Sequence, residues 1–259
     1  MPQFSMRDPE NRHRSIYLLP NAFTTAALFA GFYAVVQAMN DRFETAAIAI
    51  FVAMVLDGMD GRVARLTNTQ SAFGEQYDSL SDMTSFGVAP ALVAYEWILQ
   101  DLGRWGWLAA FVYVAGAALR LARFNTNIAV VDKRFFQGLP SPASAALVAG
   151  FVWLAIDNKL PIHDGFMAWA AFIITMYAGV SMVSNAPFFS GKSFALGRSV
   201  PFWGILVVVA VFVFVSSDPP VVLFGLFMLY GLSGWVVMAW RWNRARRLQQ
   251  GRRLPPPSA

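Results

Sequence analysis

Eight long apolar runs limit what this chain can fold into. They cover about residues 20–39, 44–66, 76–99, 105–122, 141–157, 165–183, 200–217 and 219–240, each near the roughly 17–25 residues that cross a bilayer as a helix. Ile205–Val215, ILVVVAVFVFV, is apolar on every side, so it offers no polar face to water as an amphipathic surface helix does. Lipid supplies no partners for backbone N–H and C=O groups, which makes helices the expected form of all eight. Composition agrees: 14% of residues are charged, against about 25% in soluble domains. The expected fold is all-α, a polytopic membrane bundle of about eight transmembrane helices.

The basic residues orient that bundle. An even number of spans puts both termini on one side, and of the 20 Lys and Arg only Arg42, Arg104 and Lys159 fall on the other. The positive-inside rule then predicts both termini in the cytoplasm. The polar N-terminus up to Ser15 carries no cleavable-leader pattern. Residues 1–19 read as a cytoplasmic, interfacial segment, 20–240 as the transmembrane domain, and 241–259 as a basic cytoplasmic tail attracted to anionic headgroups. The net charge of +5 follows this topology rather than marking a nucleic-acid surface.

Chemistry concentrates between the second and third spans. The chain has no cysteine and only two histidines, His13 and His163, far apart in sequence, so any metal must sit mainly on oxygen and be a hard cation. Asp57 and Asp60 are three residues apart, and Asp78 and Asp82 four, which puts each pair on one helical face. Asp57 lies eight residues before Arg65 and Asp82 eight after Gly74, about 12 Å of helix in each case. One span descends to the cytoplasmic surface and the next climbs from it, so the four carboxylates should face one another just inside the inner leaflet. Such a cluster is costly unless cations neutralise it. Two divalent ions would do so and would suit in-line phosphoryl displacement. Gly58, Gly61 and Gly74 leave room for close approach by a helix or a phosphate. A buried ion network with Arg62 and Arg65 is the plainer alternative, but two arginines do not balance four aspartates. A cation pathway is another; it requires acids to continue outward, and beyond Asp82 the third span holds only Glu96.

The pattern Asp57-x2-Asp60-Gly61-x2-Ala64-Arg65-x8-Gly74-x3-Asp78-x3-Asp82 resembles, at every fixed position, the signature of the CDP-alcohol phosphotransferases. These membrane enzymes move a phosphatidyl or phospho-alcohol group from a CDP-activated donor to an alcohol and release CMP. The flanking stretches Pro20-Asn21-x2-Thr24, Ser85-Phe86-Gly87-Val88-Ala89-Pro90, Arg120-Leu121-Ala122-Arg123-Phe124-Asn125 and Gly138-Leu139-Pro140-Ser141-Pro142 are similar to the branch whose acceptor is serine. The likeness covers about residues 15–183.

That resemblance implies a transferase making phosphatidylserine from CDP-diacylglycerol and L-serine, with Mg2+ or Mn2+ as cofactor and a homodimer as the usual assembly. A sister activity on glycerol 3-phosphate or inositol phosphate is the nearest rival. Asp57, Asp60, Asp78 and Asp82 would hold the metal, with Asp82 also acting as general base. Asn21, Thr24, Gly61, Ala64, Arg65 and Gly74 would take the CDP-diacylglycerol, small residues admitting ribose and pyrophosphate and the arginine forking onto a phosphate. Arg120, Arg123, Asn125 and Gln137 are candidates for binding serine or the lipid phosphate. The expected location is a bacterial inner membrane, with the site open to the cytoplasm.

Overall fold

The structure is a computed structural model that describes residues 9–67, 69, 71–126, 135–157, 165–190 and 202–251. Helix α1 (Pro9–Ala38) turns back into α2 (Phe43–Thr67), and the two pack along their length. Their short connection closes with Asp41 in the left-handed region (φ 58°) and with the Asn40 and Arg42 amides both donating to the Gln37 carbonyl.

The third predicted span is a single rod with a defect in it. Helix α3 (Ala72–Asp82) passes through a π-helical turn, Met83–Val88, into α4 (Ala89–Trp97), and a 3-10 turn at Leu99–Leu102 ends the rod. Pro90 is the physical reason for at least part of this. It has no N–H for the Phe86 carbonyl one turn earlier, and the buried Tyr113 hydroxyl donates to that carbonyl instead, at 2.9 Å. The wider turn leaves Ser85, Phe86 and Gly87 all buried in succession, which a regular helix would not do at a lipid-facing surface. Its Ser85 hydroxyl donates to the Ala27 carbonyl of α1 at 3.1 Å, and a Cβ at Gly31 would overlap that serine, so α1 and the π turn touch backbone to side chain.

Helix α5 (Arg104–Thr126) packs on α7 (Phe166–Val183), with Gly116 against the Gly179 carbonyl where no larger residue fits. Between them and the α1–α2 pair lies α6 (Ser141–Ile156), rich in alanine and buried at almost every position. Helix α8 (Phe202–Ser217) touches little but α9 (Pro219–Gly251). Among the described residues three helical stretches, Arg104–Thr126, Phe166–Val183 and Pro219–Arg244, are long and apolar enough to cross a membrane by themselves. Large apolar side chains such as Phe29, Phe32, Val55, Phe212 and Leu229 face outward around the bundle, the pattern expected of lipid-facing surface.

The all-α expectation holds, with two features added to it. A short clip joins the segment before α6 to the one after α7: β1 (Phe135–Gln137) pairs antiparallel with β2 (Pro187–Phe189). Gly138, at φ 78°, donates to the Ala186 carbonyl at 3.0 Å and Leu139 to Ser181 at 2.9 Å, extending the clip. Three-residue strands are too short to show a period in the sequence. Helix α9 also runs eleven residues past the predicted end of the eighth span, to Gly251, and Arg246 stacks on Trp242 at 3.7 Å on this extension. At about 1.5 Å per residue its length of about 50 Å exceeds the roughly 30 Å hydrocarbon core.

Candidate active site

Helices α1, α2 and α3 build the site together. Ser71 caps α3, accepting from the Gly74 amide at 3.0 Å, so α3 starts only a few residues after α2 ends and runs back beside it. That hairpin sets Asp57 and Asp60, one turn apart on α2, against Asp78 on α3. Carboxylate oxygens of the three lie within 4.8 Å of one another. Asp82, one turn deeper, meets Asp57 directly.

Helix α1 holds the cluster from behind. The Thr24 hydroxyl donates to Asp60 Oδ2 at 2.7 Å, while the Ser81 hydroxyl donates to the Thr24 backbone carbonyl at 3.2 Å. Thr24 thus ties an acid of α2 to the backbone register of α3. Farther out, the Thr25 and Tyr77 hydroxyls share a hydrogen bond of 2.9 Å.

The fit to a cation can be judged from the carboxylates themselves. Asp78 Oδ1 and Asp82 Oδ1 are buried without a hydrogen-bond partner, although buried polar atoms are normally satisfied. Neither arginine of that proposed network neutralises the group: Arg62 is exposed, and Arg65 Nε donates to the Gly61 carbonyl at 2.9 Å. The buried ion network therefore does not form among the described residues. An all-oxygen, multiply anionic donor set with orphaned acceptors suits a hard divalent cation.

A cleft of about 260 Å3 opens beside the cluster. It is lined by Asn21, Thr24, Gly61, Ala64, Arg65 and Gly74, all six residues expected to take the nucleotide lipid, together with Asp60 and Asp78. A Cβ at Gly61 would meet nothing within 4 Å, so this glycine keeps the cleft wide rather than letting helices touch. Thr69, Ser71 and Glu75 also line it and were not anticipated. No local pattern announces them: they reach the cleft because Ser71 caps α3 so soon after α2 ends.

The other candidates divide. Arg120 lies within electrostatic range of Asp82, and its Nη1 donates to Ser141 Oγ at 2.8 Å. Arg123 points toward the end of α7, donating to the Val183 carbonyl at 3.1 Å and to Asn185 Oδ1 at 3.3 Å. Asn125 Nδ2 donates to Ser79 Oγ at 3.1 Å, beside Asp78 in the chain. Gln137 is exposed on β1, away from the cluster in sequence and opposite Pro187 in the sheet.

Comparison with known proteins gives this arrangement a family. The model of the CDP-alcohol phosphatidyltransferase family matches residues 17–180, from within α1 to the last turn of α7. The chain belongs to that family. Similar proteins include a CDP-diacylglycerol–serine O-phosphatidyltransferase of Helicobacter pylori, 35% identical over 86% of this chain and 93% of the relative. One of Saccharomyces cerevisiae with the same description is 39% identical over 61% of this chain and 65% of its own. A third, from Methanocaldococcus jannaschii, is 42% identical over 52% and 59%. Membership makes the chain an integral membrane phosphatidyltransferase of a family that depends on divalent metal. The match spans both aspartate pairs and every residue named in the cleft.

Proposed function

We propose that this phosphatidyltransferase transfers the phosphatidyl group of CDP-diacylglycerol to the hydroxyl of L-serine, giving phosphatidylserine and CMP. The observation that carries the reading is the junction of three carboxylates within 4.8 Å with a cleft lined by the signature residues. Serine as acceptor is supported by the activity for which the Helicobacter pylori relative is named, a protein this chain matches over 93% of its length.

Asp57, Asp60, Asp78 and Asp82 would hold Mg2+ or Mn2+, two ions in the fullest occupancy. Bound there, the metal supplies positive charge against the pyrophosphate and the departing CMP. Asn21, Thr24, Gly61, Ala64, Arg65 and Gly74 seat the cytidine diphosphate, with Arg65 at the rim within reach of a phosphate. Asp82 takes the proton of the serine hydroxyl; the serine oxygen bonds to the phosphorus that bears diacylglycerol, and the pyrophosphate bridge breaks with its electron pair leaving on CMP. Two groups held in line make positioning the larger part of the catalysis.

The topology follows the same reading. Residues 1–19 form the interfacial segment, 20–240 the catalytic transmembrane domain and 241–259 the basic tail, with both termini and the mouth of the cleft at the cytoplasmic face of a bacterial inner membrane. The distribution of arginine and lysine supports this. A homodimer is the expected assembly. Arg7, Lys133, Arg134, Lys159, Lys192, Arg198, Arg252 and Arg253, which contribute to that distribution, lie outside the described residues.

The test is CMP release by purified protein given CDP-diacylglycerol and, in separate reactions, L-serine, glycerol 3-phosphate or inositol phosphate, each with and without EDTA. Release with L-serine that EDTA abolishes is the expected result. Release with a phosphorylated acceptor and none with L-serine would end the serine assignment.

A further inference from the structure

Asp82 is the last residue of α3, and the π turn starts at the next position. Single widened turns of this kind are frequent at functional sites. A π turn holds one residue more than an α turn, so α4 leaves it about 100° away from the angle a regular helix would give. The offset lies between the face of α3 that carries the aspartates and the face of α4 that packs on the bundle.

Neighbouring helices hold this turn from two sides. On α1, the Thr24 and Ala27 carbonyls accept the Ser81 and Ser85 hydroxyls at 3.2 and 3.1 Å. On α5, the buried Tyr113 hydroxyl donates to the Phe86 carbonyl at 2.9 Å, and a Cβ at Gly87 would come within 3.1 Å of Ala117 Cβ. Within the turn, the Ala89 amide bonds the Thr84 carbonyl, five residues back. A regular helix would instead need an amide at position 90 for the Phe86 carbonyl, and Pro90 has none. Tyr113 supplies that carbonyl with a donor, and Pro90 withholds the rival one.

The two joined helices are unequally anchored. Helix α4 buries Ala89, Pro90, Ala91, Val93 and Ala94 among its 9 residues, whereas α3 buries only Ser81 among 11. Were the π turn to close into regular helix, α4 would keep its place and α3 would rotate. A carboxylate stands about 5 Å from a helix axis, so a rotation of about 30° moves it by about 2.5 Å. Metal–ligand distances tolerate only about 0.2 Å. The grouping of Asp78 with Asp57 and Asp60 within 4.8 Å would not survive such a rotation.

We propose that Tyr113 and Pro90 are positioning residues for the acidic cluster. Neither lines the cleft. They hold the π turn, and the turn sets the angle at which α3 presents Asp78 and Asp82 to Asp57 and Asp60. The proposal rests on the preceding reading that these carboxylates hold divalent metal.

The experiment separates stability from metal affinity in purified full-length protein. Tyr113→Phe removes the donor to the Phe86 carbonyl, and adding Pro90→Ala gives that carbonyl the amide of a regular helix. The dissociation constant for Mn2+ is measured on folded protein by the electron paramagnetic resonance of the free ion, and the Tm in the same detergent. Tyr113→Phe should lower the Tm, and Tyr113→Phe/Pro90→Ala should recover it while binding Mn2+ about 10-fold or more weakly than wild type. A merely structural role predicts that Tm and affinity recover together, so wild-type affinity in the folded double variant overturns the proposal. Should the double variant not fold, Tyr113→Phe alone decides, measured well below its own Tm: weaker Mn2+ binding supports the proposal and wild-type binding overturns it. Wild-type protein that binds no Mn2+ removes the metal assignment itself; wild type and variants that bind it alike remove this inference alone.

Discussion

Asp82 and Asp60 occupy similar chemical surroundings but have different partners, and their variants should fail in different ways. Asp82 has an orphaned oxygen and stands apart from the cleft, so Asp82→Asn removes a base while leaving the nucleotide seat intact. Its kcat should fall by about 10²–10⁴, the usual worth of a positioned base, with the KM for CDP-diacylglycerol changed far less. Steady-state CMP release at varied lipid concentration measures both. Asp60, by contrast, receives the Thr24 hydroxyl at 2.7 Å, a bond that orients the carboxylate from outside the cluster. Thr24→Val keeps the shape and removes the donor. Loss of such an orienting partner costs about 10–100-fold in metal affinity, so the Mn2+ concentration for half-maximal activity should rise by that factor while kcat at saturating metal stays within a few-fold of wild type. An unchanged metal dependence would mean that the Thr24 hydroxyl does not orient Asp60 for the metal.

At the scale of elements, the spacing of the four aspartates was legible because each pair obeys a helical repeat and the two spans run in opposite directions. Side-chain depth follows from those two facts. The break in the third span was not legible, since Gly87 and Pro90 are tolerated in regular transmembrane helices wherever neighbours satisfy the freed carbonyl. What decides it is Tyr113, a residue 23 positions beyond that proline on another helix, and no local pattern reveals the pairing. Likewise β1 and β2 meet across the 49 residues between Gln137 and Pro187, and Thr69, Ser71 and Glu75 enter the cleft only because α3 is capped where it is. The Tyr113 bond is testable. Tyr113→Phe leaves the Phe86 carbonyl buried without a donor, which costs about 1–3 kcal/mol. A Tm several degrees lower in a fixed detergent is expected, with an unchanged KM for CDP-diacylglycerol, because the hydroxyl faces the π turn and not the cleft.

At the scale of the whole molecule, the arrangement of charge and the position of the site make one geometric claim. The α1–α2 turn near Arg42 and the 3-10 turn near Asp101 lie at one end of the bundle, while the α2–α3 connection and the C-terminal reach of α9 are assigned to the other by the alternation of spans. Arginines crowd that second end, and α9 carries Arg244 over Trp240 at 5.5 Å as it leaves the apolar stretch, a pairing suited to the headgroup layer. In the proposed topology the cleft opens at the cytoplasmic surface, where a water-soluble acceptor is at hand and CMP can leave. The chain contains no cysteine, so single cysteines can be placed without removing any native one. Arg42→Cys and Asp101→Cys, both exposed in the structure, should react in intact spheroplasts with a maleimide that does not cross membranes. Arg247→Cys, also exposed, should react only in inverted vesicles or after permeabilisation. Ser71→Cys, on the wall of the cleft, should follow Arg247→Cys in sidedness and be protected by CDP-diacylglycerol with Mn2+. Labelling of Ser71→Cys from the outside would place the carboxylate cluster at the wrong face of the bilayer, and the inward-facing mechanism would fall with it.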